Sequence, residues 1–237
     1  MDLEQPVSPE LERDLDNLVT LNRVFGSHAL VRNFLRRHLN RSQPWRILDL
    51  ATGAGDIPRM IATWAREHRI DVTIDAVDFQ PSTLEIARSR STTFSNIAFH
   101  EGDVRSFGRD RIETSESNAG SSNQEAHPPK WDIVLCSLAL HHFSEEDAVT
   151  ILRHMATLAR RHVLVSDLRR CAAGTFGVDL LTSVWMREPM TRNDGRASVR
   201  RAFSFKEFAE LARAAGWRDF QHARKFCFRQ AMELHFP

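Results

Sequence analysis

The chain has 237 residues, long enough for one α/β domain with a substantial core or for two small domains. Apolar residues make up 42% and charged residues 27%, the balance of a folded chain in water. The net charge is +1, so a general nucleic-acid binder is disfavoured, because neutralising phosphates takes clustered positive charge.

In chain order, "SPELERDLDNLVTLNRVFG" reads as a helix, with Ser8 as cap, Pro9 in the first turn, and Leu11, Leu15, Leu18 and Val19 on one stripe. Gly26 is a helix stop, and Ser27 is the expected cap of a second helix with Leu30, Phe34 and Leu35 inward. These helices form an N-terminal cap over residues 1–42, and the main domain is expected over 43–237. "RILDLA" is a nearly continuous apolar run, as in a strand buried on both faces. Asp56 is the expected cap of the helix that follows, with Pro58 in its first turn. "VTIDAVDF" is a second strand, "PSTLEIARSR" a helix and "IAFHEGDV" a third strand with its exit. "WDIVLCSLAL" is a fourth strand, "SEEDAVTILRHMATLAR" a helix capped by Ser144, and "HVLVSDL" a fifth strand. Residues 108–130 are rich in Ser, Asn, Glu, Gly and Pro and read as a flexible insertion. Residues 169–203 are assigned to a substrate-side cap. "SFKEFAELARAAGW" is a capped helix, and "DFQHARKFC" and "RQAMELHF" are two closing strands joined tightly at about Phe228 and Arg229, hence antiparallel. The alternation predicts a Rossmann-like, doubly wound α/β fold with a mostly parallel seven-stranded sheet, an antiparallel last strand and N-terminal helices.

Cys136, Cys171 and Cys227 lie far apart without metal-ligand spacing, so no metal site is expected and reduced cytosolic thiols are. "MDLEQPVSPELERDLDNL" lacks an apolar signal core, and no run of about 18 apolar residues exists, so a cytoplasmic chain without an integral membrane span is expected.

In an open α/β sheet, ligands bind beyond the carboxyl ends of the strands. Asp49 with the Gly53/Gly55 turn, Asp78 with Phe79, and Asp103 with Val104 stand at the first three strand ends, and Cys136, Ser137 and Leu138 at the fourth. A dinucleotide site asks for G-x-G-x-x-G, but here the turn is "GAGDIP": Pro58 stands at the third glycine position and Asp56 would face a pyrophosphate. A cationic nucleoside suits the rim better. The glycine turn lets a ligand approach backbone. Asp78 is placed for two ribose hydroxyls, Phe79 for a flat base, Asp103 for an exocyclic amine, the Val104 amide for a ring nitrogen, and Asp49 for an ammonium. That ligand is S-adenosylmethionine (SAM).

"LDLATGAGDIPR", "AVDFQPSTLEIAR", "EGDVRSF" and "WDIVLCSLALHHF" resemble, in order, the motifs of class I SAM-dependent methyltransferases, over Arg46 to Leu168. "DLATGAGD" with the Ser137–Leu138 pair is similar to the ubiquinone/menaquinone-type small-molecule methyltransferases, with Ala51 in place of a common glycine. The resemblance implies that Ala51, Gly53, Ala54, Asp78, Asp103, Val104 and Ser137 line the cofactor, alongside Asp49, Gly55 and Phe79 from the residue-level reading.

"CSLAL" replaces the Asn-Pro-Pro-Tyr-like sequence of amide- and base-methylating enzymes, so the resemblance points to oxygen or carbon of a small, largely apolar acceptor such as a phenol, quinol or polyketide-like ring. A lipid-like acceptor would add peripheral membrane contact; the oligomeric state is left open. His141 is the candidate base, with His142, Asp167 and Arg169 on the substrate side and Arg170 beside them; capping or loop packing is the alternative for the histidines and a surface ion pair for Asp167 and its arginines. Phe25, Phe176, Trp185 and Met186 are candidates for an apolar lid or for core, and Arg192, Arg196, Arg200 and Arg201 read as solvated. Cys136, in an apolar strand, reads as inert. The competing functions are a nicotinamide-dependent oxidoreductase, a protein or RNA methyltransferase, and a non-catalytic SAM-binding module.

Overall fold

The computed structural model describes residues 6–108, 131–170 and 200–236. Most of the 108–130 insertion and of the 169–203 cap, with Phe176, Trp185, Met186, Arg192 and Arg196, lies outside the described residues.

Helix α1 (Pro9–Val24) begins as its sequence dictates: the Ser8 side chain accepts from the Leu11 N–H, and Pro9 occupies the first turn. Helix α2 (Ser27–His38) departs from expectation. Gly26, left-handed at φ 87°, is its N-cap; Ser27 lies inside the helix, buried, and caps nothing. A residue that must reverse the chain at positive φ pre-empts the capping serine one position on.

The sheet has strands β1 (Trp45–Leu50), β2 (Val72–Asp78), β3 (Ile97–Glu101), β4 (Trp131–Ser137), β5 (Ala159–Leu168), β6 (Phe220–Lys225) and β7 (Arg229–His235). Their spatial order is β3-β2-β1-β4-β5-β7-β6. β1 to β5 pair in parallel, and β7 runs antiparallel between β5 and β6. The reversal from β1→β2 to β1→β4 makes the carboxyl end of β1 the switch point where such sheets open a crevice. Helices α3 (Asp56–His68), α4 (Pro81–Ser89), α5 (Glu145–Leu158) and α6 (Phe205–Ala214) connect the strands. The Ser204 side chain and Glu207 form a reciprocal capping box at the start of α6. The β6–β7 join spans three residues, with Cys227 and Phe228 both at positive φ.

Two apolar layers enclose the sheet. On one face, Trp131, Val134 and Val163 pack with Ile151, Leu152 and Met155 of α5 and Phe208 of α6. On the other, Ile47, Ile133 and Leu164 pack with Phe34 and Leu35 of α2 and Ile61 of α3. Leu11 and Leu15 of α1 rest on Ala54 and Ile86, so α1 lies over the turn after β1. No helix among the described residues is long and apolar enough to cross a membrane.

Candidate active site

The turn after β1 passes through three left-handed residues, Ala51 (φ 57°), Gly53 (φ 55°) and Gly55 (φ 71°). The two glycines serve different ends. At Gly55 a Cβ would stand 2.9 Å from the Phe99 ring, so the position is fixed by close approach to β3. At Gly53 a Cβ would meet nothing within 4 Å among the described residues, so the backbone there faces open space. Arg59 braces the turn by donating to the Ala54 carbonyl at 2.7 Å.

Asp78, at the end of β2, is tied to this turn. Its Oδ2 accepts from the Gly53 N–H at 2.8 Å and its Oδ1 from the Gln80 N–H at 3.1 Å. Burial pushes its carboxyl up, and these N–H groups oppose that shift. Beside it Phe79 is 54% exposed, a large apolar ring left uncovered at the rim.

Asp49 is buried at the end of β1 and accepts from the Thr52 hydroxyl at 2.7 Å. Burial pushes its carboxyl up to about 7, the Thr52 hydrogen bond works against that, and the charges of Asp56 and Asp78 add to it. A buried acid on the edge of protonation calls for a cation. Thr52 was not singled out in the sequence, although it sits between Ala51 and Gly53.

Asp56 corrects the sequence reading. Gly55 is the N-cap of α3, and no side chain caps it. The Asp56 carboxylate instead accepts from His28 Nε2 at 2.8 Å and from Asn22 Nδ2 at 3.2 Å, and so clamps α1 and α2 onto the turn.

Asp103 follows β3, which ends at Glu101. It is gripped by Arg105, whose Nε donates to both carboxylate oxygens at 3.0 Å, and which holds the Asp103 carboxyl below the usual range. Its charge is therefore already balanced, and each oxygen already accepts two hydrogen bonds from Arg105. Val104 is buried beside it. At the end of β4 the Ser137 hydroxyl lies 2.9 Å from the Ser166 hydroxyl of β5.

His141 sits in a 3-10 turn, Leu140–His142, just beyond β4. Its Nδ1 donates to Asp167 Oδ1 at 2.6 Å and its backbone N–H to Asp167 Oδ2 at 2.9 Å. Both residues are buried, at 4% and 1% exposure. Asp167 thus serves the histidine and is not a surface partner of Arg169. The exposed His142 lies against His141 with ring centroids 4.2 Å apart and the planes tilted by 37°. Arg169 is partly buried with its Nε unpartnered among the described residues, and Arg170 pairs outward with Glu207 at 2.6 Å. Phe25 is the C-cap of α1, and Arg200 and Arg201 are exposed. Cys136 is buried and burial pushes its thiol far up, as an inert core thiol requires.

The sequence reading passed over Arg229, the residue opposite Leu168 at the start of β7. It is 3% exposed, and its Nε and Nη1 have no hydrogen-bond partner among the described residues. Burial lowers it to about 10 against the opposing pull of Asp167.

A doubly wound sheet with an antiparallel β7, a glycine turn over β1 and acids at the ends of β1 and β2 define the class I methyltransferase architecture. Residues 47–162, just under half of the chain, match the family model described as a methyltransferase domain. The structure is similar to the plantazolicin methyltransferase BamL solved with a triazolic desmethylPZN analog and S-adenosylhomocysteine: TM-score 0.64, 14% identity, covering 92% of this chain and 72% of that one. It is similar to the CMeT domain of the citrinin polyketide synthase, with TM-score 0.64, 13% identity and coverage of 95% and 56%. It is also similar to human N-acetylserotonin methyltransferase solved with SAM, with TM-score 0.61, 16% identity and coverage of 95% and 55%. The chain thus spans little more than half the length of the last two. No curated protein sequence matches it significantly.

The residues fit the cofactor. Open space at Gly53, the Asp78 carboxylate bound to that turn, the uncovered Phe79 ring and the buried Asp49 match a backbone approach, a ribose, a flat base and a cation.

Proposed function

We propose that this chain transfers a methyl group from SAM to an oxygen or carbon of a small, largely apolar acceptor such as a phenol, quinol or polyketide-like ring. The observation that carries the reading is the buried His141–Asp167 pair at the rim where β4 and β5 end. Asp167 holds the Nδ1 proton, which leaves Nε2 as the basic nitrogen, and it fixes the ring through the backbone N–H as well. An acceptor hydroxyl or activated C–H beside Nε2 loses its proton there as the methyl group is transferred.

SAM supplies, when bound, a methyl group on a sulfonium that departs as a neutral thioether. The protein's task is then to orient, to exclude water and to take one proton. Asp78 and Phe79 hold the nucleoside end, Asp49 meets the cationic end, and Ala51, Gly53, Ala54, Gly55, Val104 and Ser137 form the walls. Asp103 meets the exocyclic amine by giving up one of its hydrogen bonds from Arg105. Helices α1 and α2, clamped through Asp56, cover the turn as the N-terminal cap. Arg229, with Arg169 beside β5, stabilises the acceptor oxyanion that follows proton loss. A cytoplasmic location suits such a small-molecule enzyme.

The test is product analysis with methyl-labelled SAM and a panel of phenols, quinols and aromatic polyketides. Label in an O- or C-methyl product supports the reading. Binding of labelled SAM with label transferred only to protein or RNA overturns it.

A further inference from the structure

At the opposite end of the sheet from the rim, three histidines from three elements converge. His38 is the last residue of α2, His162 lies near the start of β5, and His235 ends β7. His162 and His235 are register partners, so they share the face that α2 covers. Glu233 stands two residues before His235 on that same face. Phe34, one turn before His38, packs against both His38 and His162 and fixes how the helix end lies on the strands.

The donor atoms point at one another. One ring nitrogen from each histidine lies within 4.8 Å of the other two. His162 Nδ1 and His235 Nδ1 are 2.9 Å apart. His38 Nε2 stands 3.7 Å from Glu233 Oε2, and His235 Nε2 stands 3.9 Å from it. His38 Nε2 and Glu233 Oε2 are both buried without a hydrogen-bond partner among the described residues. Glu233 is 5% exposed, and Arg37 occupies only its other oxygen, at 2.6 Å. Leaving two such groups unsatisfied is costly unless something joins them. Donors about 2.0–2.2 Å from a tetrahedral zinc ion lie about 3.3 Å from each other, so the three histidine nitrogens, now within 4.8 Å, draw together on binding, and the Glu233 carboxylate beside His38 swings in to join them.

We propose that His38, His162, His235 and Glu233 form a binding site for a divalent transition-metal ion of the zinc type, outside the methyltransferase site. Three imidazoles and one carboxylate are the ligands that zinc takes in tetrahedral sites, whereas magnesium and calcium require oxygen-rich sets. With all four ligands from protein, the site is closed and its role is to pin the end of α2 to β5 and β7. It alters the sequence expectation of no metal, which rested on cysteine spacing.

The experiment uses the full chain, tag-free and chelator-stripped. Isothermal titration with Zn2+ is expected to show one tight equivalent, and Co2+ the intense visible bands of tetrahedral coordination. His38→Gln and Glu233→Gln are expected to lower Zn2+ affinity at least tenfold while SAM binding is unchanged. His235→Cys is expected to retain binding and to add a thiolate-to-cobalt charge-transfer band, a gained signal that unfolding does not produce. Absence of stoichiometric uptake in the unaltered chain overturns the proposal. So does an unchanged Co2+ spectrum in His235→Cys, which would place the ion elsewhere.

Discussion

Asp167 holds His141 at two points, one carboxylate oxygen on the ring Nδ1 and the other on the backbone N–H, at 2.6 and 2.9 Å. The first bond sets which nitrogen is basic. The second sets where the ring stands relative to the end of β4. His141→Ala is therefore expected to lower kcat by about 10²–10⁴-fold with SAM affinity intact, measured by label transfer and by titration. Asp167→Asn keeps the shape but weakens the hold, and a smaller loss is expected. Unchanged turnover in His141→Ala removes it as the base.

Asp78 joins β2 to the glycine turn through the Gly53 N–H. Asp78→Asn preserves size and removes the charge that would accept from ribose hydroxyls. A charge-assisted hydrogen bond contributes about 1.5–3 kcal/mol, so SAM affinity is expected to fall by about 10²-fold, with circular dichroism unchanged. Full affinity in the variant overturns its assignment to the cofactor.

The Asp49 carboxyl, at about 7 in the fold, gives a pH dependence with a definite sign. Its pKa is raised above the unfolded value of 3.8, so the folded state binds the extra proton between those limits. The stability that Asp49 contributes is present at low pH and is lost as pH rises toward 7. Cofactor binding runs the other way, because the cation prefers the ionised acid. SAM affinity is expected to strengthen from pH 6 to 8, approaching about tenfold per unit on the acidic side. Asp49→Asn is expected to show only the titration of SAM itself. Identical pH profiles for the two proteins would rule out Asp49 as the group that meets the cation.

The two glycines of the turn separate stability from binding. Alanine at either incurs the left-handed strain of about 1–2 kcal/mol. Gly55→Ala adds the clash with Phe99, so the lower melting temperature is expected there, with partial rescue by Phe99→Leu. Gly53→Ala, whose Cβ enters open space, is expected to lose more SAM affinity than stability. The reverse order would mean that Gly53 does not face the ligand.

Much of this was legible in the sequence, because the cues were local. "RILDLA" and "VTIDAVDF" are apolar runs bounded by glycine or proline, and Ser8, Ser144 and Ser204 cap helices as side-chain chemistry requires. What stayed hidden depends on partners distant in the chain. Asp56 looks like a helix cap until the fold brings His28 and Asn22, 28 and 34 residues upstream, to its carboxylate. The His38–His162–His235 cluster has no spacing signature, since its members come from a helix and two strands far apart. Arg229 gained its meaning only from lying opposite Leu168.

The position of β7 has a consequence for how the molecule is assembled. Among the described residues β6 pairs with the sheet only through β7, although it comes first in the chain. During synthesis β6 emerges with no strand to join. The edge of β5 stays open until Arg229–His235 is available to bridge the two. The nascent chain thus carries an unpaired strand edge until β7 has emerged, the kind of edge on which chains aggregate. Removing residues from within β7 would strip two strands from the sheet at once, and the His235 and Glu233 side chains with them.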